Sequence, residues 1–174
     1  MKMKKILSVI LAIAMCAVAL VSCSKDDTPD GMKLASTEAA SYQLYVPEDW
    51  EVGLTEVYTT ANAKDAVLPN VSATTYEFDD PTATIELWWE TSKDELTLGF
   101  GEIVMISESD TVLDGRNAKQ YVYSAKMGDV EYTFHQVAAI TSSGVVYLLT
   151  FTSSPDSYEE NLETFNQITS EFRF

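Results

Sequence analysis

The chain has 174 residues, with 27 Asp and Glu set against 11 Lys and Arg, and its formal net charge is −16. That length suits one domain with its own core, and a chain so acidic lacks the basic footprint that nucleic acid requires, so nucleic-acid partners are excluded. Two cysteines, Cys16 and Cys23, offer neither a disulfide framework nor a CxxC redox pair.

Taken from its start, the chain opens with Lys2, Lys4 and Lys5 and continues in an uncharged apolar run from Ile6 to Val21. A basic start followed by such a run is the layout of a secretory leader. As a helix the run reaches roughly 24 Å, short of the ~30 Å of a hydrocarbon core, which favours removal over retention as a membrane span. Leu20, Val21, Ser22 and Cys23 close it. These four residues resemble the lipobox of bacterial lipoproteins, and the resemblance implies that Cys23 receives diacylglycerol before the leader is cut away. Residues 1–22 are then the lipoprotein signal peptide and residues 23–41 the lipidated cysteine with a flexible tether. At about 0.8 kcal/mol per buried methylene, two acyl chains make the anchor effectively permanent. The membrane is thus a partner through Cys23, on the extracytoplasmic face.

Residues 42–174 carry the periodicities of a folded domain. Tyr42 to Val46 alternates and stops at Pro47; Trp50 to Tyr58 and Val71 to Phe78 read as strands, and Thr59 to Pro69 as a loop or short helix. Thr84 to Trp89 and Ile103 to Ile106 read as two more strands, with Ser92 to Leu98 between them as a possible helix. After the Asp114-Gly115 turn comes an antiparallel meander: Ala118 to Lys126, a tight turn at Met127-Gly128-Asp129, Val130 to Ile140, and Val145 to Thr152. The last of these is apolar at nearly every position, so it is expected at the centre of a sheet covered on both faces. Ser154 and Pro155 then start a helix whose apolar stripe is Tyr158, Leu162, Phe165 and Ile168, and Phe172 to Phe174 ends the chain as an extended piece. The reading is of α+β class: an antiparallel sheet of about six strands sandwiched by helices.

"YQLYVPEDWEV", "LDGRNAKQYVYS" and "YLLTFTSSPDSYEENLETFNQITSEFRF" occur in that order within residues 40–174. Together they resemble the pattern of PsbP-like domains. The resemblance implies an α/β sandwich and no catalytic motif, since members of this fold mostly bind or stabilise partners. Relatives commonly carry a longer helix before the meander, so with Ser92 to Leu98 alone that side of the sheet is expected to be more open.

Candidate chemistry is sparse. His135 is the lone imidazole, and Glu131 lies on its strand face about 13 Å away, too far for direct contact, so a solvent-facing strand histidine is expected. A hydrolase using His135 with a cross-strand acid is the alternative. No nucleophile elbow, HExxH, Walker loop or dinucleotide fingerprint occurs. Trp88 and Trp89, placed on a strand, point to opposite faces, so one is expected in the core and the other outward, where it either anchors a partner or a sugar ring or is covered by a helix. Glu108, Asp110 and Asp114, and separately Glu77, Asp79 and Asp80, offer oxygens that calcium prefers, without EF-hand spacing. The expectation is a non-enzymatic, lipid-anchored envelope protein that needs no cofactor and binds a protein partner or envelope ligand, with Trp88, Trp89 and His135 as candidate binding residues. A calcium-linked binding module is a further alternative.

Overall fold

In the computed structural model, which describes residues 28–55, 58–78 and 82–174, the apolar run Val145–Ser153 forms the middle strand of a seven-stranded sheet. Cys23, the leader and the start of the tether lie outside the described residues, as do Asp79 and Asp80. The strands are β1 (Met32–Leu34), β2 (Tyr45–Pro47), β3 (Glu51–Leu54), β4 (Tyr58–Asn62), β5 (Asn70–Glu77), β6 (Ile103–Leu113), β7 (Arg116–Met127), β8 (Val130–Ile140) and β9 (Val145–Ser153). Among the described residues two α-helices accompany them, α1 (Ile85–Phe100) and α2 (Tyr158–Glu171).

Sheet order is β3-β4-β5-β9-β8-β7-β6, antiparallel throughout, with β1 and β2 as a separate two-stranded ribbon. The tyrosine-rich β7, β8 and β9 form the expected meander, and β9 is gripped by β5 on one side and β8 on the other. Being central, β9 must bury both faces, which explains its lack of alternation.

Each face has its own core. On one, α2 lays Phe165 and Ile168 against Val137, Ala139, Leu149 and Phe151, and the N-terminal segment adds Leu44, Val46 and Trp50. Phe172 is buried at the chain end, and Gln43 bridges to Arg173, so the two ends of the domain are sewn together on this face. On the other, α1 sets Ile85, Trp88 and Trp89 over Tyr121, Tyr123, Phe134 and Leu148. The α+β sandwich is therefore the architecture, with one helix per face.

Four expectations change. Thr84 to Trp89 is not a strand but the N-terminal cap and first turns of α1. Thr84 Oγ1 accepts from the Leu87 backbone N–H at 3.3 Å, and the stripe Ile85, Trp88, Trp89, Leu96 and Phe100 follows helical spacing. Gly101 ends the helix at φ +87°, a conformation L side chains rarely adopt. Trp50 to Tyr58 is not one strand: β3 ends at Leu54 and Tyr58 opens β4, which is paired on both sides and takes in residues 59–62 of the expected loop or short helix. The tether is shorter than 23–41, because Met32–Leu34 pairs with β2 and buries Met32 and Ala35. Finally, the helix at the end of the chain begins with a 3-10 turn at Pro155–Ser157 before α2.

Candidate functional site

Helix α1 covers half of its face. Trp89 stacks on Tyr121 with ring centroids 4.0 Å apart, and Phe100 meets Phe134 at 5.5 Å, so the helix sits over β7 and β8. Towards β4 and β5 the same face is open, and Tyr58 and Tyr76 are exposed there above a floor of hydroxyls from Thr60, Ser72 and Thr150. Where the helix stops and the open floor begins, a cleft of about 380 Å³ runs between α1 and β5. Its size falls in the range of about 300 to 1,000 Å³ that suits small-molecule sites.

The cleft has apolar walls and acidic lips. Phe78, Trp88, Leu96, Phe100 and Leu148 supply the walls, while Glu77 and Glu95 supply carboxylates. Burial, helped by the negative charge of Glu95, raises the Tyr76 phenol above its ordinary range, which ties those two side chains into one electrostatic neighbourhood.

At the junction of cleft and floor lies Gln136, on β8 and 6% exposed. Its Nε2 donates to Thr150 Oγ1 at 3.3 Å, whereas its Oε1 has no hydrogen-bond partner among the described residues. An unpaired buried carbonyl costs about 1 to 3 kcal/mol, so such groups are rare unless something outside the fold satisfies them. Sequence reading passed Gln136 over because alternation places it on a core face, where a glutamine looks like an ordinary polar interruption. Its position beside a polar gap could be seen once Thr150 and Ser72 were known to be its neighbours in the sheet.

Both tryptophans are core residues, Trp88 at 4% and Trp89 at 6% exposure, so neither is an outward anchor. The reason is the helix: adjacent residues lie about 100° apart on it, and a stripe of that width can bury both. Trp88 does line the cleft wall.

His135 is not solvent-facing either; it is 4% exposed under α2. Because β8 is an interior strand, its odd-numbered residues point at the helix layer rather than at water. Gln120 Nε2 donates to Ser109 Oγ at 2.8 Å, leaving Gln120 Oε1 to accept from His135 Nε2–H at 3.2 Å. Nδ1 then accepts from the Tyr158 hydroxyl at 3.0 Å, and Phe165 packs edge-on to the ring. This chain of bonds fixes a neutral imidazole, and burial pulls its pKa down to about 4. Its hydrogen-bond partners are an amide and a phenol, neither of them the acid that the hydrolase alternative requires.

The acidic candidates are separated. Glu108 and Asp110 face Lys119, whose ammonium lies 3.6 and 3.1 Å from them and 3.5 Å from Glu86 of α1. Asp114 sits in the turn before β7, where Oδ2 accepts from the Phe174 backbone N–H at 2.9 Å. Among the described residues no three His, Cys, Asp or Glu side chains are grouped to hold a metal ion, and Glu77 belongs to the cleft.

No family model and no curated protein matches this sequence. Solved structures do resemble the fold. The solution structure of cyanobacterial PsbP from Synechocystis sp. PCC 6803 superposes with a TM-score of 0.65 at 14% identity, covering 88% of this chain and 98% of that one. A protein of unknown function and putative regulator, PA94 of Pseudomonas aeruginosa, gives 0.56 at 13%, covering 78% and 92%. LpqN of Mycobacterium tuberculosis, described as involved in cell envelope biogenesis, gives 0.54 at 17%, covering 82% and 88%. The chain has the PsbP-like fold that its sequence pattern resembles.

Proposed function

We propose that this chain is a non-catalytic lipoprotein, anchored through Cys23 on the extracytoplasmic side of a membrane, whose domain binds an envelope ligand in the cleft between α1 and β5. The observation that carries the reading is Gln136: a buried carboxamide oxygen without a partner, at the edge of a cleft of ligand size. A shift of the side chain that keeps the Nε2–Thr150 bond brings that oxygen to the cleft, where a ligand hydroxyl or N–H recovers the lost hydrogen bond while the aromatic walls supply apolar contact. One further observation supports the cellular setting: LpqN, a solved structure of similar fold, is described as involved in cell envelope biogenesis.

One preparation tests both halves. The full-length protein, extracted from its own membranes in mild detergent, is weighed denatured and then under non-denaturing conditions. The denatured mass is expected to equal residues 23–174 plus a diacylglyceryl group, and the native mass to exceed it by a small molecule that Gln136→Leu loses. A polypeptide mass without acyl chains would overturn the anchor. A native mass equal to the denatured mass in the wild-type protein would overturn the cleft.

A further inference from the structure

Resting on the cleft reading just proposed, we infer that the ligand is a cationic amphiphile: a protonated amine carried on an apolar body. The charged groups that line the cleft favour it, and its hydroxyls, Tyr76, Thr91 and Ser92, serve donor or acceptor alike. Glu77 and Glu95 line the cleft, and no Lys or Arg does, either there or on the adjoining open floor, among the described residues. Glu86, Glu108 and Asp110 have the Lys119 ammonium within 3.6 Å, whereas the two cleft carboxylates have no lysine or arginine in the lining beside them. The independent observation is Gln136, whose unpartnered oxygen can accept but not donate. An anionic ligand would meet like charge and an acceptor facing an acceptor. An ammonium group offers up to three N–H donors to two carboxylates and one amide oxygen.

The walls suit the rest of such a molecule. Aromatic faces attract cations through their quadrupole, and Tyr76, Phe78 and Phe100 ring the same cleft as Trp88. Leu96 and Leu148 complete an apolar lining for the body that carries the amine. The class is therefore defined by three features together: positive charge, N–H donors, and an apolar or aromatic portion.

The test uses the full-length lipoprotein in nanodiscs of zwitterionic lipid, with three probes of closely similar shape: 2-phenylethylamine, 2-phenylethanol and phenylacetate. Calorimetric titration is expected to show the amine binding most tightly and phenylacetate least. Glu95→Gln is expected to weaken the amine about fivefold or more, a loss proportionate to one partly exposed charge pair. Glu160→Gln, which removes an exposed charge from α2 on the opposite layer, controls for the general field of an acidic protein and is expected to leave binding within about twofold. If 2-phenylethanol binds as tightly as the amine and Gln136→Leu weakens both, the amine class is wrong while the cleft stands. Equal effects of Glu95→Gln and Glu160→Gln would also overturn the class, since attraction would then come from net charge. If no probe binds, or if binding survives Gln136→Leu undiminished, the cleft reading falls together with the class.

Discussion

His135 shows how one buried side chain makes an acidic domain sensitive to acid beyond its carboxylates. Its folded pKa, about 4, lies below the ordinary 6.5, so between those values the unfolded chain takes up a proton that the folded chain refuses. The stability contribution is complete above pH 6.5 and is lost as pH falls towards 4, by about 3 kcal/mol in all. Denaturant melts from pH 7 to pH 4 on wild type and His135→Gln are expected to show a shallower decline in the variant, which carries no ionisable ring at that position. Parallel declines would show that the imidazole is not held neutral. Gln136, next along the strand, points to the other layer and presents the opposite case, a polar group that the fold leaves unsatisfied. Strand alternation told the two residues apart in the sequence, but not which layer covered each face. Hence His135 was expected in water, and Gln136 drew no notice.

At the scale of elements, α1 is where local reading and structure part. Thr84, Ile85, Trp88 and Trp89 all favour strands when read six at a time, because β-branched and aromatic side chains suit a pleated surface. Read over sixteen residues, the same segment carries a cap at Thr84, an acidic first turn at Glu86 and an apolar stripe ending at Phe100, and those signals prevail. The meander and α2 were legible because their signals agree at both ranges: clear alternation in β8, continuous apolarity in β9, and helical spacing from Tyr158 to Ile168. The energetic consequence can be checked. Trp89→Ala removes the ring stacked on Tyr121 and is expected to cost about 3 to 5 kcal/mol in urea melts, whereas Leu98→Ala, at a position 88% exposed on the same helix, is expected to cost under about 0.5 kcal/mol. Comparable losses at both sites would mean that α1 does not pack as described.

Across the whole molecule, the two faces of the sheet do different work. The face under α2 is closed: it buries His135 in a satisfied network and fastens the N-terminal segment to the chain end through Gln43 and Arg173. The face under α1 is covered over β7 and β8 and left open over β4 and β5, with the cleft at the boundary. The sequence pattern pointed to an open side because it saw too short a helix. The helix is long, and the openness comes instead from where it sits, aligned with the aromatic strands and away from the hydroxyl-rich ones. The chain's formal net charge of −16 disfavours contact with anionic headgroups, so the proposed attachment through Cys23 and the proposed recognition in the cleft are separate events. Hydrogen–deuterium exchange on the full-length lipoprotein in nanodiscs, with and without saturating 2-phenylethylamine, locates recognition most directly. Protection is expected in β5 around Tyr76, in β8 at Gln136 and its neighbours, and in the second half of α1. Protection confined to the segments around Ser109, Gln120 and Tyr158, or none anywhere, would contradict a working cleft beneath α1.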